Sequence, residues 1–144
     1  LKQAEDCLNT GAPRAKWDEM LQAQGADLDA FHKKLVRDHT ARTVLELKST
    51  RSGHVVRCDA RIIGEVVRDL GGGRLTKESV INHDVGVDQL AKPGDVVRVR
   101  DILCRIHAAS KHEARNVQQR LATAFEISDE PPRRPRLVAE VISK

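Results

Sequence analysis

The chain has 144 residues, enough for one domain with an appendage, and its 40% hydrophobic and 32% charged content supports a buried core and excludes global disorder. Aromatic residues are only 2% (Trp17, Phe31, Phe125, no Tyr), which argues against modules that stack bases or sugars on aromatic platforms. The net charge of +4 is spread over basic residues interleaved with Asp and Glu, with one dense cluster at Arg133, Arg134 and Arg136, so a basic nucleic-acid-binding module is a minor alternative.

Residues 1–8 read as the end of a helix closed by Asn9-Thr10-Gly11, and a chain that opens inside a helical pattern looks like a fragment. Pro13 suits the first turn of a second helix, which carries Trp17, Met20, Leu21 and Gln24 at helical spacing and stops at Gly25. A weaker helix follows through Phe31, Leu35 and Val36, then a charged link to Arg42. His32 and His39 lack metal-ligand spacing.

After Arg42 the period changes from helical to alternating. Thr43–Lys48 predicts a strand with Val44 and Glu46 on one face, Leu45 and Leu47 on the other. Ser52-Gly53 makes a turn into a second strand, His54–Cys58. Asp59 is a good N-cap for a helix over 60–70, whose Ile62, Ile63, Val66, Val67 and Leu70 share one face, and Gly71 supplies a left-handed stop. Short strands are expected at Val85–Val87, Val96–Val99 and Ile102–Ile106, separated by turns at Pro93-Gly94-Asp95 and Arg100-Asp101. Ser110 and Glu113 form a capping box for a helix whose stripe is Ala114, Val117, Leu121, Ala124 and Phe125. A Pro-rich linker over 130–135 then leads to a closing strand at Leu137–Ile142. The class is α+β, with a mostly antiparallel or mixed sheet, two packed helices and a short helical segment in front.

No local pattern assembles a catalytic centre. Gly71-Gly72-Gly73 lies at a helix C-terminus, where the dipole is negative, so a backbone phosphate cradle has the wrong orientation; Arg74 and Lys77 are the cations available if the loop folds over an anion. The segments G-x-x-x-x-G-K-[ST] and G-x-G-x-x-G are absent. His54, His83, His107 and His112 show no H-E-x-x-H spacing, His107 reads as a structural histidine, and no Ser sits in G-x-S-x-G. No metal is expected. Cys7, Cys58 and Cys104 form no C-x-x-C pair and predict reduced thiols in a cytoplasmic protein. No apolar run approaches a membrane span, so no membrane partner is expected. Leu90–Val97 running into Ile102–Ile106 looks like half of a biotinyl or lipoyl domain, which makes a carrier module modified at Lys111 a second alternative.

Taken in order, Ser52-Gly-His-Val55, Asp59-Ala60, Ile63-Gly64, Leu70–Arg74, Lys77-Glu78, Asp84-Val-Gly-Val87, Gly94-Asp95 and Ile106-His-Ala108 resemble the C-terminal part of the thymidine/pyrimidine-nucleoside phosphorylase family. Met20–Asp27 is similar to that family's helix ending in a Gln-Gly-x-Asp turn. The resemblance implies an α/β-hammerhead C-terminal domain over residues 43–144, with residues 1–42 belonging to the end of a preceding α/β domain. It implies a cytoplasmic parent pentosyltransferase, a homodimer that splits pyrimidine nucleosides with phosphate as co-substrate and without a cofactor. The parent's N-terminal α and α/β domains would bind nucleoside and phosphate. The family's K-x-S-T-G-G-x-G-D motif is absent, so no catalytic residue is expected in this chain. What transfers is a supporting role for a substrate-cleft loop of Gly71, Gly72, Gly73, Arg74 and Lys77.

Overall fold

Proline and glycine positions divide the first forty residues as their chemistry requires. In the computed structural model, which describes residues 2–37, 39–133, 138 and 140–142, the helices are α1 (Lys2–Thr10), α2 (Ala12–Ala23) and α3 (Leu28–Leu35). Pro13 sits in the first turn of α2, and the Asp27 carboxylate caps α3 by accepting from Ala30 N at 3.0 Å. His32 on α3 meets Asp18 on α2 at 3.2 Å. These helices bury no residue fully, and Trp17 and Met20 stay 46% and 40% exposed. The chain separates into two compact units, residues 1–38 and 39–144.

The second unit contains β1 (Thr43–Lys48), β2 (Gly53–Cys58), α4 (Ala60–Val67), β3 (Gly86–Asp88), β4 (Val96–Val97), β5 (Ile102–Ala108), α5 (Lys111–Ala122) and β6 (Phe125–Ser128). The expected α+β class holds. The strands form two three-stranded antiparallel sheets, ordered β1-β5-β3 and β4-β2-β6. Leu45 and Leu47 face the core as the alternation predicts, and Glu46 is exposed. Val55, Val66, Cys104, Ile106 and Leu121 are the largest fully buried side chains. The core is thus aliphatic, with Phe125 as its one buried aromatic among the described residues.

Apart from shifts of one or two residues at element ends, three elements differ from the sequence reading. First, α4 ends at Val67, and residues Arg68–Gly72 form a π-helical turn. Second, Val99 is not in β4: the Asp101 carboxylate accepts from Arg98 N at 2.7 Å, the Ser52 hydroxyl accepts from Val99 N at 3.1 Å, and Arg100 is left-handed at φ 75°. The side chains of the turn take the hydrogen bonds a strand would have used. Third, α5 ends at Ala122, so Ala124 and Phe125 are not part of its stripe, and Phe125 opens β6. Thr123 caps α5, and Phe125 pairs with Cys58; a closing strand was expected over 137–142. Of that strand, residues 137 and 139 lie outside the described residues, as do Arg134 and Arg136 of the basic cluster; residues 138 and 140–142 have no regular secondary structure.

Candidate functional site: the glycine loop and its neck

Asp59 starts the element that carries the loop. Its carboxylate accepts from Arg61 N at 3.0 Å and Ile62 N at 3.2 Å, satisfying free N–H groups of α4. Val66 and Leu70 then anchor the helix and its π turn in the core. Gly71 closes the turn in the left-handed region at φ 94°, and its carbonyl accepts from Asn82 N at 2.9 Å. That bond ties the start of the loop to its end. Gly72 packs so tightly on the preceding turn that a Cβ there would lie 2.9 Å from Val67 Cγ1 and 3.1 Å from the Val67 carbonyl oxygen.

The tip of the loop is a turn organised by Ser79. Its hydroxyl accepts from Leu75 N at 3.2 Å and Thr76 N at 2.9 Å, and its own amide donates to the Thr76 carbonyl at 3.2 Å. Arg74 and Lys77 are exposed, and no acidic residue pairs with either among the described residues. Leu75 and Val80 are exposed beside them, at 69% and 93%. The five sequence-predicted residues therefore share one loop that offers cationic and apolar side chains to solvent. The loop leaves the C-terminal end of a helix, so any attraction for an anion comes from these side chains and not from the helix dipole.

A charged network holds the neck. Arg120 on α5 donates through Nη1 to Asp69 Oδ2 at 2.6 Å and through Nη2 to Glu65 Oε2. Arg61 reaches Glu65 at 3.1 Å and Arg68 reaches Asp69 at 3.1 Å. The Arg61 guanidinium, with Arg120 behind it, holds the Glu65 carboxyl below the usual range against the opposing effect of its burial. Beneath the loop's downstream end lies a cavity of about 240 Å³ lined by Thr40, Asn82, Asp84, Val85 and Ala108 among others. Asn82 caps that end by accepting from Asp84 N at 3.0 Å, and the Thr40 hydroxyl donates to Asp84.

A second polar cluster lies on β3 and β5. Asp88 opposes Arg105, which donates to its two oxygens at 2.9 and 2.6 Å. His107 Nε2 lies 2.9 Å from Asp88 Oδ1 without a well-aligned hydrogen bond. His107 is buried, with the His39 ring packed at 6.0 Å. Arg105 first, then His107, pulls the Asp88 carboxyl down to about 2, against its partial burial. A carboxyl lowered on folding adds stability that is present above its unfolded value and fades as pH falls toward its folded one. Because Asp88 is 42% exposed, solvent screening limits the gain. Asp88→Asn is expected to cost about 1 kcal/mol near neutral pH and less than half of that near pH 2, checked by urea unfolding at both.

The remaining candidates are not brought together. His54 lies on β2, His83 is exposed before β3, and His112 is exposed on α5. No group of three His, Cys, Asp or Glu that could hold a metal occurs among the described residues. Lys111 is the first residue of α5, behind the cap made when Ser110 Oγ accepts from Glu113 N, and not the tip of a hairpin; the carrier reading finds no support. Several basic residues are paired, as in Arg57 with Asp59 and Glu126 and Arg51 with Asp129, and the nucleic-acid reading finds no support among the described residues. No helix among the described residues is long and apolar enough to cross a membrane. Burial raises the Cys104 thiol to about 12 and also raises that of Cys58, so neither is activated as a nucleophile.

The sequence reading missed Glu65, Asp69 and Arg120, as well as the Asp88–Arg105 pair. Glu65 and Asp69, one helical turn apart, were a legible signal of an acidic edge. Their partner on a distant helix was not.

Comparison with known proteins bears directly on this loop. The family model "Pyrimidine nucleoside phosphorylase C-terminal domain" matches residues 54–128, a span that runs from β2 through β6 and includes the glycine loop. The chain is 27% identical over 137 residues to a thymidine phosphorylase of Colwellia psychrerythraea, covering 95% of the chain and 31% of that relative. It is 29% identical to a thymidine phosphorylase of Rhizobium meliloti and 30% identical to a pyrimidine-nucleoside phosphorylase of Geobacillus stearothermophilus, in each case over 96% of the chain and 32% of the relative. The chain spans about a third of the length of the curated relatives it matches. With more than half of its residues matched by the family model and the expected order of strands, glycine loop and helix in place, the chain belongs to the pyrimidine nucleoside phosphorylase C-terminal domain family.

Proposed function

We propose that the chain is the C-terminal part of a pyrimidine-nucleoside or thymidine phosphorylase, in which it supports and closes the cleft but supplies no reacting group. The single observation behind this reading is the match of nearly the whole chain to one third of such enzymes. The parent reaction forms a C1′–O bond to phosphate and breaks the C1′–N bond to the base, giving free base and (deoxy)ribose 1-phosphate. The electron pair leaves with the base, and positive charge builds on the sugar ring. Rate then depends on holding phosphate and nucleoside in line and on stabilising the developing charges.

Residues 71–79 contribute to that by covering the cleft. Arg74 and Lys77 bring positive potential toward an anionic co-substrate, and Leu75 and Val80 exclude water once the loop packs down. Residues 1–42 complete the end of the parent's α/β domain, and residues 43–144 form its C-terminal domain. The parent's N-terminal α and α/β domains carry nucleoside and phosphate in a cytoplasmic homodimer without a cofactor.

The test is made in the parent enzyme. Arg74→Ala is expected to lower kcat/KM by about three- to tenfold, with phosphate KM raised, in steady-state assays of base release. Unchanged kcat and KM would remove the loop from the mechanism.

A further inference from the structure

The glycine loop is held by its neck, and the neck is held from another helix. Arg120 projects from the last turn of α5 and spreads its two terminal nitrogens over Asp69 and Glu65, which lie one turn apart on the α4 stretch. Glu65 belongs to regular α-helix; Asp69 belongs to the π turn. The guanidinium therefore bridges the last regular turn of α4 and the turn that Gly71 closes in the left-handed region. A planar fork with fixed spacing suits that task better than a flexible ammonium. The next residues, Leu70 and Gly71, set the core anchor and the hydrogen bond to Asn82 that closes the loop.

We propose that Arg120 is a positioning residue for the glycine loop, acting through Asp69 and Glu65 to hold the π turn that sets the loop's exit. This rests on the reading of residues 71–79 as a cleft element only for its consequence in catalysis; the mechanical claim concerns this chain alone. The ion pairs are partly exposed, Arg120 at 42% and the two acids at 30% and 33%, so their effect is local and not a determinant of global stability.

Hydrogen exchange of the 144-residue chain, read by amide, tests it. In Arg120→Ala, the amides of residues 72–82, above all Asn82, are expected to exchange about five- to tenfold faster, while β1 and β5 keep their protection. Asp69→Ala should reproduce the effect, the double variant should add little to either, and Arg120→Lys should recover only part of it. Asp69→Ala also provides the test if Arg120→Ala folds poorly. Unchanged exchange in the loop, or a rise shared equally by β1 and β5, overturns the proposal. Loss of loop protection with normal turnover in the parent enzyme would instead leave the clamp standing and remove the cleft-closing reading.

Discussion

Gly53→Ala is expected to destabilise the chain by about 3 kcal/mol or more. Gly53 opens β2 at φ 148°, where an L side chain is strained. A Cβ there would lie 2.5 Å from the Ser128 carbonyl oxygen and 3.0 Å from Ile127 Cγ2. Both obstacles belong to β6, and the nearer is backbone, which cannot turn aside as a side chain can. Relief requires the β2–β6 pairing to open from its His54–Ser128 end, and that exposes Ile127 and unseats Phe125. Gly64 supplies the contrast. It lies exposed in α4 with nothing within 4 Å of its would-be Cβ, so Gly64→Ala is expected to stabilise by about 0.5–1 kcal/mol. Urea midpoints of the two variants should therefore move in opposite directions. A Gly53→Ala chain within 1 kcal/mol of the parent sequence would mean that β6 yields at little cost.

What the sequence made legible follows the range of each interaction. The Asp59 cap, the Ile62/Ile63/Val66/Val67 face and the Ser110 cap are local, and each appears where its residues placed it. Phe125 was misplaced because Leu121, Ala124 and Phe125 continue a helical spacing. What ends α5 is the pairing of Phe125 with Cys58, a partner from another part of the chain. The glycine loop was legible as a glycine-capped helix end, and Gly71 is left-handed as expected. Its closure by Asn82 and its clamp by Arg120 depend on tertiary placement, and no spacing rule announces them. The Asp88–Arg105 pair was hidden for the same reason: it requires the β3–β5 register, and register between strands separated by a strand of the other sheet is not written in either strand.

The isolated 144-residue chain is expected to release no thymine from thymidine and no uracil from uridine in phosphate buffer, beyond the rate without protein. Phosphorolysis needs phosphate held opposite the leaving base, and the gain from fixing both reactants in line is about 7–11 kcal/mol, which a surface loop cannot supply alone. Arg74 and Lys77 face solvent, where screening weakens their hold on an anion. Arg105, the guanidinium with buried surroundings, is already engaged bidentately by Asp88. The phosphate motif K-x-S-T-G-G-x-G-D does not occur in the chain. A chromatographic assay for free base, run with and without phosphate at micromolar chain, decides the matter. Phosphate-dependent release would mean that these residues form a complete site, and the division of labour inferred from a chain one third the length of its relatives would have to be abandoned. Silence from the isolated chain, followed by activity when the parent's remaining domains are supplied and a further loss on Arg74→Ala, would place the glycine loop where its exposed cations are useful: over a phosphate that other domains have already bound.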